Sequence, residues 1–124
     1  MAIYRDCQSD GAEFDDPAVV TIYRGNNSPY TAVNTLYVEL NGGVEDISAV
    51  VDPCMEVIPV CVEKATYVFT TTLTGSAQSY HVVYQRCCRN NTINNLINPE
   101  ESGATYTIEL TPEAQSECND SPTF

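Results

Sequence analysis

Apolar and polar residues alternate at every second position in several short stretches of this chain, and this alternation constrains the fold more than any other feature. A period of two places successive side chains on opposite faces of a β-strand, whereas an amphipathic helix needs a period of about 3.6 residues. No window long enough for an amphipathic helix has the helical period. The sequence therefore predicts an all-β protein.

Strands are predicted at residues 1–5, 18–24, 35–40, 47–51, 65–73, 79–86 and 104–110. Asn41-Gly42-Gly43 is a hairpin signal, so segments 35–40 and 47–51 are expected to be antiparallel neighbours. Segment 65–73 is expected to pair with 79–86, and 52–61, with two prolines and two cysteines, is expected to be a crossover loop. Seven or eight strands over about 100 residues predict an immunoglobulin-like or related Greek-key β-sandwich, one domain over residues 1–124.

The charge of the chain excludes two classes of partner. The chain has five Lys and Arg residues and 17 Asp and Glu residues, which gives a formal net charge of -12. Nucleic acid and anionic membrane surfaces would be repelled by such a chain. No apolar run approaches the length of about 20 residues that crosses a bilayer, so membrane insertion is not expected. The hydrophobic fraction of 43% is sufficient for a packed core.

Six cysteines in 124 residues predict a disulfide framework formed in an oxidising compartment. Cys54 and Cys61 flank a short proline-containing loop, so we expect them to pair. Cys87 and Cys88 are adjacent and, on a strand, would point to opposite faces, which predicts different partners, Cys7 and Cys118, in either combination. A ring between Cys87 and Cys88 is the rarer alternative. Because residues 1–7 lack a signal-peptide pattern, we expect the chain to be an excerpt of a longer exported protein.

An ordered series of motifs extends over most of the chain: YRDC at 4–7, YQRCCRN at 84–90, NLINP at 95–99, GATY at 103–106 and CNDSPTF at 118–124. With these motifs the chain resembles the N-terminal region of very large cell-surface proteins of Bacteroidetes. Such proteins often carry PKD-like or Ig-like repeats and a gliding-motility-associated C-terminal domain that directs type IX secretion. The resemblance implies export, an extracellular location at the cell surface and flanking β-domains in the same chain. It implies no ligand.

Two functions from different classes follow as expectations. The first is a non-enzymatic structural or adhesive module that links or orients neighbouring domains of a large surface protein. The second is a carbohydrate-binding module attached to a secreted glycan-degrading enzyme. Tyr23, Tyr30 and Tyr37 favour the second, because aromatic rings stack on the C–H faces of sugars, although core packing is the alternative role for these rings. Partners are therefore flanking domains, surface glycans or other proteins.

Candidate site residues are few. Asp10, Glu13, Asp15 and Asp16 crowd one loop and form a calcium candidate, with a solvated acidic loop as the alternative. No cofactor is otherwise expected. His81, the only histidine, lies in the middle of a strand pattern, which favours a packing role over catalysis, so no catalytic residue is assigned.

Arg86, Arg89 and Phe124 are predicted interface residues. Arginine forks cap carbonyls and carboxylates, and we expect Arg86 and Arg89 to do so around the loop at 90–98, with recognition of an acidic partner as the alternative. Phe124 follows Pro122 in an extended segment and lacks an obvious covering partner in the sequence. Together with the strand edge at residues 1–5, it is expected to contact flanking segments of the same chain.

Overall fold

A computed structural model describes residues 1–7, 12–47, 61–89 and 94–116 of the chain. The described residues are all-β, with seven strands in two antiparallel sheets and one short α-helix. The strands are β1 (Ala2–Asp6), β2 (Ala18–Arg24), β3 (Thr31–Val38), β4 (Val44–Asp46), β5 (Val62–Thr66), β6 (Tyr80–Arg86) and β7 (Ala104–Leu110). The helix α1 is Pro112–Ser116, and a single 3-10 turn spans Pro99–Glu101.

The chain divides into two compact units, each with its own sheet. The first unit comprises Met1–Ala18, Val38–Phe69 and Arg86–Ala104, and the second comprises Val19–Tyr37, Thr70–Gln85 and Thr105–Phe124. The sheet of the first unit has the order β1-β5-β4, and the sheet of the second has the order β3-β2-β6-β7.

In the three-stranded sheet the registers place two pairs of opposite charges, and one like-charged pair, Asp46 and Glu63, directly across from each other. Arg5 of β1 lies opposite Glu63 of β5, and Glu45 of β4 lies opposite Lys64 of β5. Both pairs form ion pairs, with N–O distances of 2.8 and 3.0 Å respectively. The hydrogen bond from Lys64 to Glu45 raises the pKa of Lys64. Cross-strand pairs of opposite charge therefore help to set the register of this sheet.

In the four-stranded sheet, alternation separates a buried face from an exposed one. Val20 and Ile22 of β2 are buried, and the β2–β6 register pairs Val20 with buried Tyr84. Tyr80 of β6 is also buried and lies on the same face, because it is four residues from Tyr84. We call this the core face. The opposite side, which carries Val19 among its residues, we call the outer face.

The strand predictions at 18–24 and 104–110 are confirmed to the residue, and those at 1–5 and 79–86 are confirmed within one residue at either end. β3 begins earlier and ends earlier than the predicted 35–40. The predicted strand at 47–51 lies largely outside the described residues, as does the predicted crossover at 52–61. Short α1 was not predicted, because five residues are too few to show a helical period.

The described strands on either side of Asn41-Gly42-Gly43 do not form a hairpin, and the predicted second strand at 47–51 lies largely outside the described residues. β3 and β4 belong to different sheets, and β4 pairs with β5. Gly42 and Gly43 have φ of 80° and 86°, the left-handed region that glycine adopts without steric cost. The Asn41 amide donates to the carbonyl of Thr66 at 2.9 Å, so the turn is bound to the end of β5 instead of closing a hairpin.

The predicted pairing of segment 65–73 with 79–86 is wrong. The strand in this region is β5, at Val62–Thr66, and it pairs with β1 and β4, whereas β6 pairs with β2. Residues 67–76 form no strand, although they are rich in threonine and aromatic side chains. Strand propensity reports how well a residue fits a pleated surface, and it does not select the partner strand.

The expected pairing of Cys54 with Cys61 is corrected. Cys61 forms a disulfide with Cys7, with 5.4 Å between their Cα atoms, and the Cys7 amide donates to the Cys61 carbonyl at 3.2 Å. β1 and β5 are antiparallel, and their ladder brings the end of β1 beside the start of β5. Cys87 is bonded to Cys88, the alternative considered rarer, so their expected links to Cys7 and Cys118 are not those of the structure. Cys54 and Cys118 lie outside the described residues.

Candidate functional site

The outer face of the four-stranded sheet brings together the three tyrosines singled out in the sequence. Tyr23 lies opposite His81 in the β2–β6 register, so both side chains are on one face. The hydroxyls of Thr21 and Thr35 are 3.5 Å apart, which places Thr35 on this face too. Tyr37 follows by alternation along β3.

Tyr30 joins this face through His81. The two rings meet edge to face, with centroids 4.8 Å apart and planes at 62°. His81 Nε2 donates to the carbonyl of Gly25 at 2.8 Å, since a carbonyl oxygen can only accept. A Cβ atom at Gly25 would lie 3.1 Å from a ring carbon of Tyr30, so the glycine allows the ring to approach the turn. Contacts with the backbone at Gly25 therefore hold the Tyr30 and His81 rings in place.

The outer face exposes more apolar surface than a solvated sheet face needs. The exposed fractions are 71% for Tyr37, 47% for Tyr30, 45% for Val33 and 43% for Val19. Because β2 and β3 are antiparallel and Thr21 lies beside Thr35, Tyr23 and Tyr37 lie toward opposite ends of the face. Their separation is about 13 Å, four residues at about 3.3 Å each. Because Tyr30 contacts His81, which lies opposite Tyr23, the face carries aromatic rings at two places: Tyr23 and Tyr30 toward one end, and Tyr37 toward the other.

The acidic residues of the calcium candidate have separate contacts in the first unit. Glu13 forms an ion pair with Arg5 at 2.9 Å, and the Asp16 carboxylate accepts from the Leu40 amide at 3.1 Å. The Asp15 carbonyl accepts the hydroxyl of Tyr67 at 2.6 Å. Asp10 lies outside the described residues. In the described part of the chain, no group of three or more His, Cys, Asp or Glu residues is arranged to hold a metal ion.

Two arginines hold the loop that carries these acids. Arg5 donates to Glu63 at 2.8 Å and to Glu13 at 2.9 Å, and its guanidinium lies 4.8 Å from the ring centre of Phe14. The hydrogen bond to Glu63 raises the pKa of Arg5, and Glu13 adds to the effect. Arg86 donates to the carbonyls of Ala12, at 2.9 Å, and Glu13. Arg86 therefore caps carbonyls of a different loop from the expected one at 90–98.

The sequence interpretation missed the role of Arg5. Its signal was present, since Arg5 is one of only five basic residues and a run of acids follows it. The pairing of Arg5 with Glu63, however, depends on the β1–β5 register, which no local pattern specifies.

The remaining predicted interface residues lie in exposed positions or outside the described residues. Arg89 is exposed. The Arg89 amide donates to the carbonyls of Pro99 at 2.9 Å and Ser102 at 3.2 Å, so its backbone fixes the 3-10 turn. Phe124 lies outside the described residues.

Comparison with protein-family models, with curated proteins and with solved structures finds no match to this chain. Within the described ranges, no helix has the length and apolar character needed to span a membrane.

Proposed function

We propose that the chain is a non-enzymatic structural or adhesive extracellular module of a large bacterial surface protein, and that it links or orients neighbouring domains. The observation that carries the proposal is the exposed apolar surface of the four-stranded sheet, which includes Tyr37 at 71% exposure. Surfaces of this kind mark sites of contact with other molecules. The module acts through contact surfaces, and its fold is an immunoglobulin-like Greek-key sandwich.

Two further observations support an exported module. The Cys7–Cys61 disulfide joins strands that also pair in the β1–β5 ladder, and such bonds persist in oxidising compartments. β1 is one of the two terminal strands of its sheet among the described residues, in line with the expected contact between residues 1–5 and a flanking segment. The motif series that resembles Bacteroidetes surface proteins agrees with both observations.

The test extends the chain by its native flanking segments on both sides and compares the melting temperature and self-association with those of the 124-residue chain. Flanking segments that cover exposed surface raise the melting temperature and reduce self-association. A short chain that is monomeric and gains nothing on extension would contradict the linking role. Whole-cell labelling of the tagged native protein with an impermeant reagent tests its location.

Carbohydrate binding is the second candidate, and the placement of Tyr23, Tyr30 and Tyr37 on one sheet face favours it. Neutral sugars fit this face better than anionic ones, since the chain carries a net charge of -12. A glycan array identifies a ligand, and Tyr30→Ala and Tyr37→Ala should each weaken its binding about tenfold. Tyr106→Ala is the matched control, because Tyr106 is 60% exposed and, next to Thr105 that bonds outer-face Gln85, lies on the core face. An equal loss in the control would contradict this site.

A further inference from the structure

Burial on the core face ends abruptly between β6 and β7. Tyr80 and Tyr84 of β6 are almost fully buried, at 2% and 4% exposure, whereas Tyr106 and Ile108 of β7 are 60% and 68% exposed. Gln85, on the outer face, donates to the Thr105 hydroxyl at 3.3 Å, so Thr105 shares that face and Tyr106 lies on the core face. The Tyr106 ring stacks on Tyr84 with centroids 6.2 Å apart. An apolar row thus continues from the core into solvent.

β7 is also a terminal strand without the usual protection. It ends the order β3-β2-β6-β7, so no described strand pairs with its far edge. Natural edge strands are commonly blocked by charged residues, proline or bulges. β1 and β4, the terminal strands of the other sheet, each carry two charges in five and three residues, whereas β7 carries only Glu109 in seven.

The other terminal strand of this sheet, β3, differs from β7. β3 carries no charge, but its core-face residues Leu36 and Val38 are half-buried and buried, and its large exposed apolar residues, Val33 and Tyr37, lie on the outer face. Of the two terminal strands of this sheet, only β7 combines an edge free of described strands with large exposed apolar side chains on the core face. A strand added at β7 would cover both the backbone edge and the flanks of Tyr106 and Ile108.

We propose that β7 accepts an extended segment that alternates apolar with basic side chains, by strand addition. The proposal deepens the module function proposed above by naming the edge through which the module binds a partner. The acidic charge of the chain is the reason to expect basic side chains in the bound segment. Glu109 lies on β7 itself, and the other described residues of the second unit contain one further acid, Glu113, and one basic residue, Arg24. A second copy of the chain, with its own charge of -12, is repelled where a basic strand is attracted.

The test titrates the full 124-residue chain with a short blocked peptide that alternates valine with lysine. Amide hydrogen exchange should slow at Ala104–Leu110 and remain unchanged at β1 and β3, because only the new ladder protects amides. A matched peptide that alternates valine with glutamate should not bind. Affinity for the lysine peptide should fall as the salt concentration rises.

Two lysine substitutions separate the β7 edge from general surface effects. Ile108→Lys removes an apolar contact and adds repulsion, so peptide binding should weaken by about tenfold or more. Val33→Lys makes the same charge change at an exposed position of β3 and should retain binding within about twofold. Circular dichroism confirms that both variants keep the fold.

Several outcomes would overturn the proposal: peptide protection at β1 or β3, equal binding of the glutamate peptide, unchanged binding by Ile108→Lys, or no binding. Dimerisation of the chain alone with protection at β7 would show that a second copy is the occupant. A negative result in the peptide experiments does not alter the expected effect of native flanking segments on the melting temperature. The strand-addition proposal and the linking role can therefore fail independently.

Discussion

Replacement of Tyr67 by phenylalanine tests how the first unit holds its acidic loop. The Tyr67 side chain is fully buried, and its hydroxyl donates to the Asp15 carbonyl at 2.6 Å. Tyr67→Phe keeps the ring but leaves that carbonyl without this donor. The loss of a hydrogen bond at a partly buried carbonyl costs about 1–2 kcal/mol of unfolding free energy at neutral pH. Chemical denaturation measures the change.

The same substitution has a pH signature. Burial raises the pKa of Tyr67 above its usual 10, and the negative charge of Asp15 adds to the effect. The contribution of the wild-type hydroxyl is therefore fully present below pH 10 and is lost as the pH rises toward the folded-state pKa. Above pH 10, ionisation of Tyr67 favours the unfolded state, an effect that Tyr67→Phe lacks. The stability gap between the two proteins should therefore narrow as the pH rises from about 8 to 11.

Tyr37→Phe is the matched control, because Tyr37 is exposed and its hydroxyl has no buried environment to lose. It should change the unfolding free energy by less than about 0.5 kcal/mol. The reasoning is refuted if Tyr67→Phe is as stable as wild type at neutral pH, or if the gap between them stays constant from about pH 8 to 11.

Three further predictions concern the fold. Ile22→Ala should lower the unfolding free energy by about 2–5 kcal/mol, because Ile22 is fully buried, whereas the control Val19→Ala should cost less than about 1 kcal/mol; equal losses would contradict the assignment of faces. Replacing Cys7 and Cys61 together by alanine should cost about 4 kcal/mol from loop-closure entropy, and a loss under about 1 kcal/mol in denaturation would contradict that linkage. Arg86→Lys should speed amide exchange at residues 12–16 without global unfolding, and unchanged exchange there would contradict its capping role.

The sequence by itself determined where several strands lie, because alternation is a local property that each strand carries. β2 and β7 have the predicted bounds, and the buried residues Val20 and Ile22 follow the predicted period. Alternation also shows which residues share a face within one strand. It does not show which face is exposed. Tyr37 is exposed on the outer face, whereas Tyr80 and Tyr84 are buried on the core face, although all three lie in alternating strands.

The tertiary structure decided how the strands pair and which cysteines meet. β4 pairs with β5, to which no short turn connects it. Cys61 meets Cys7 because the β1–β5 ladder brings together residues that are 54 positions apart. A turn such as Asn41-Gly42-Gly43 permits a hairpin, yet hydrogen bonds to distant strands determine whether one forms. Pairing is a choice among many strands of similar local preference. Long-range contacts make that choice, and no short segment of the sequence contains them.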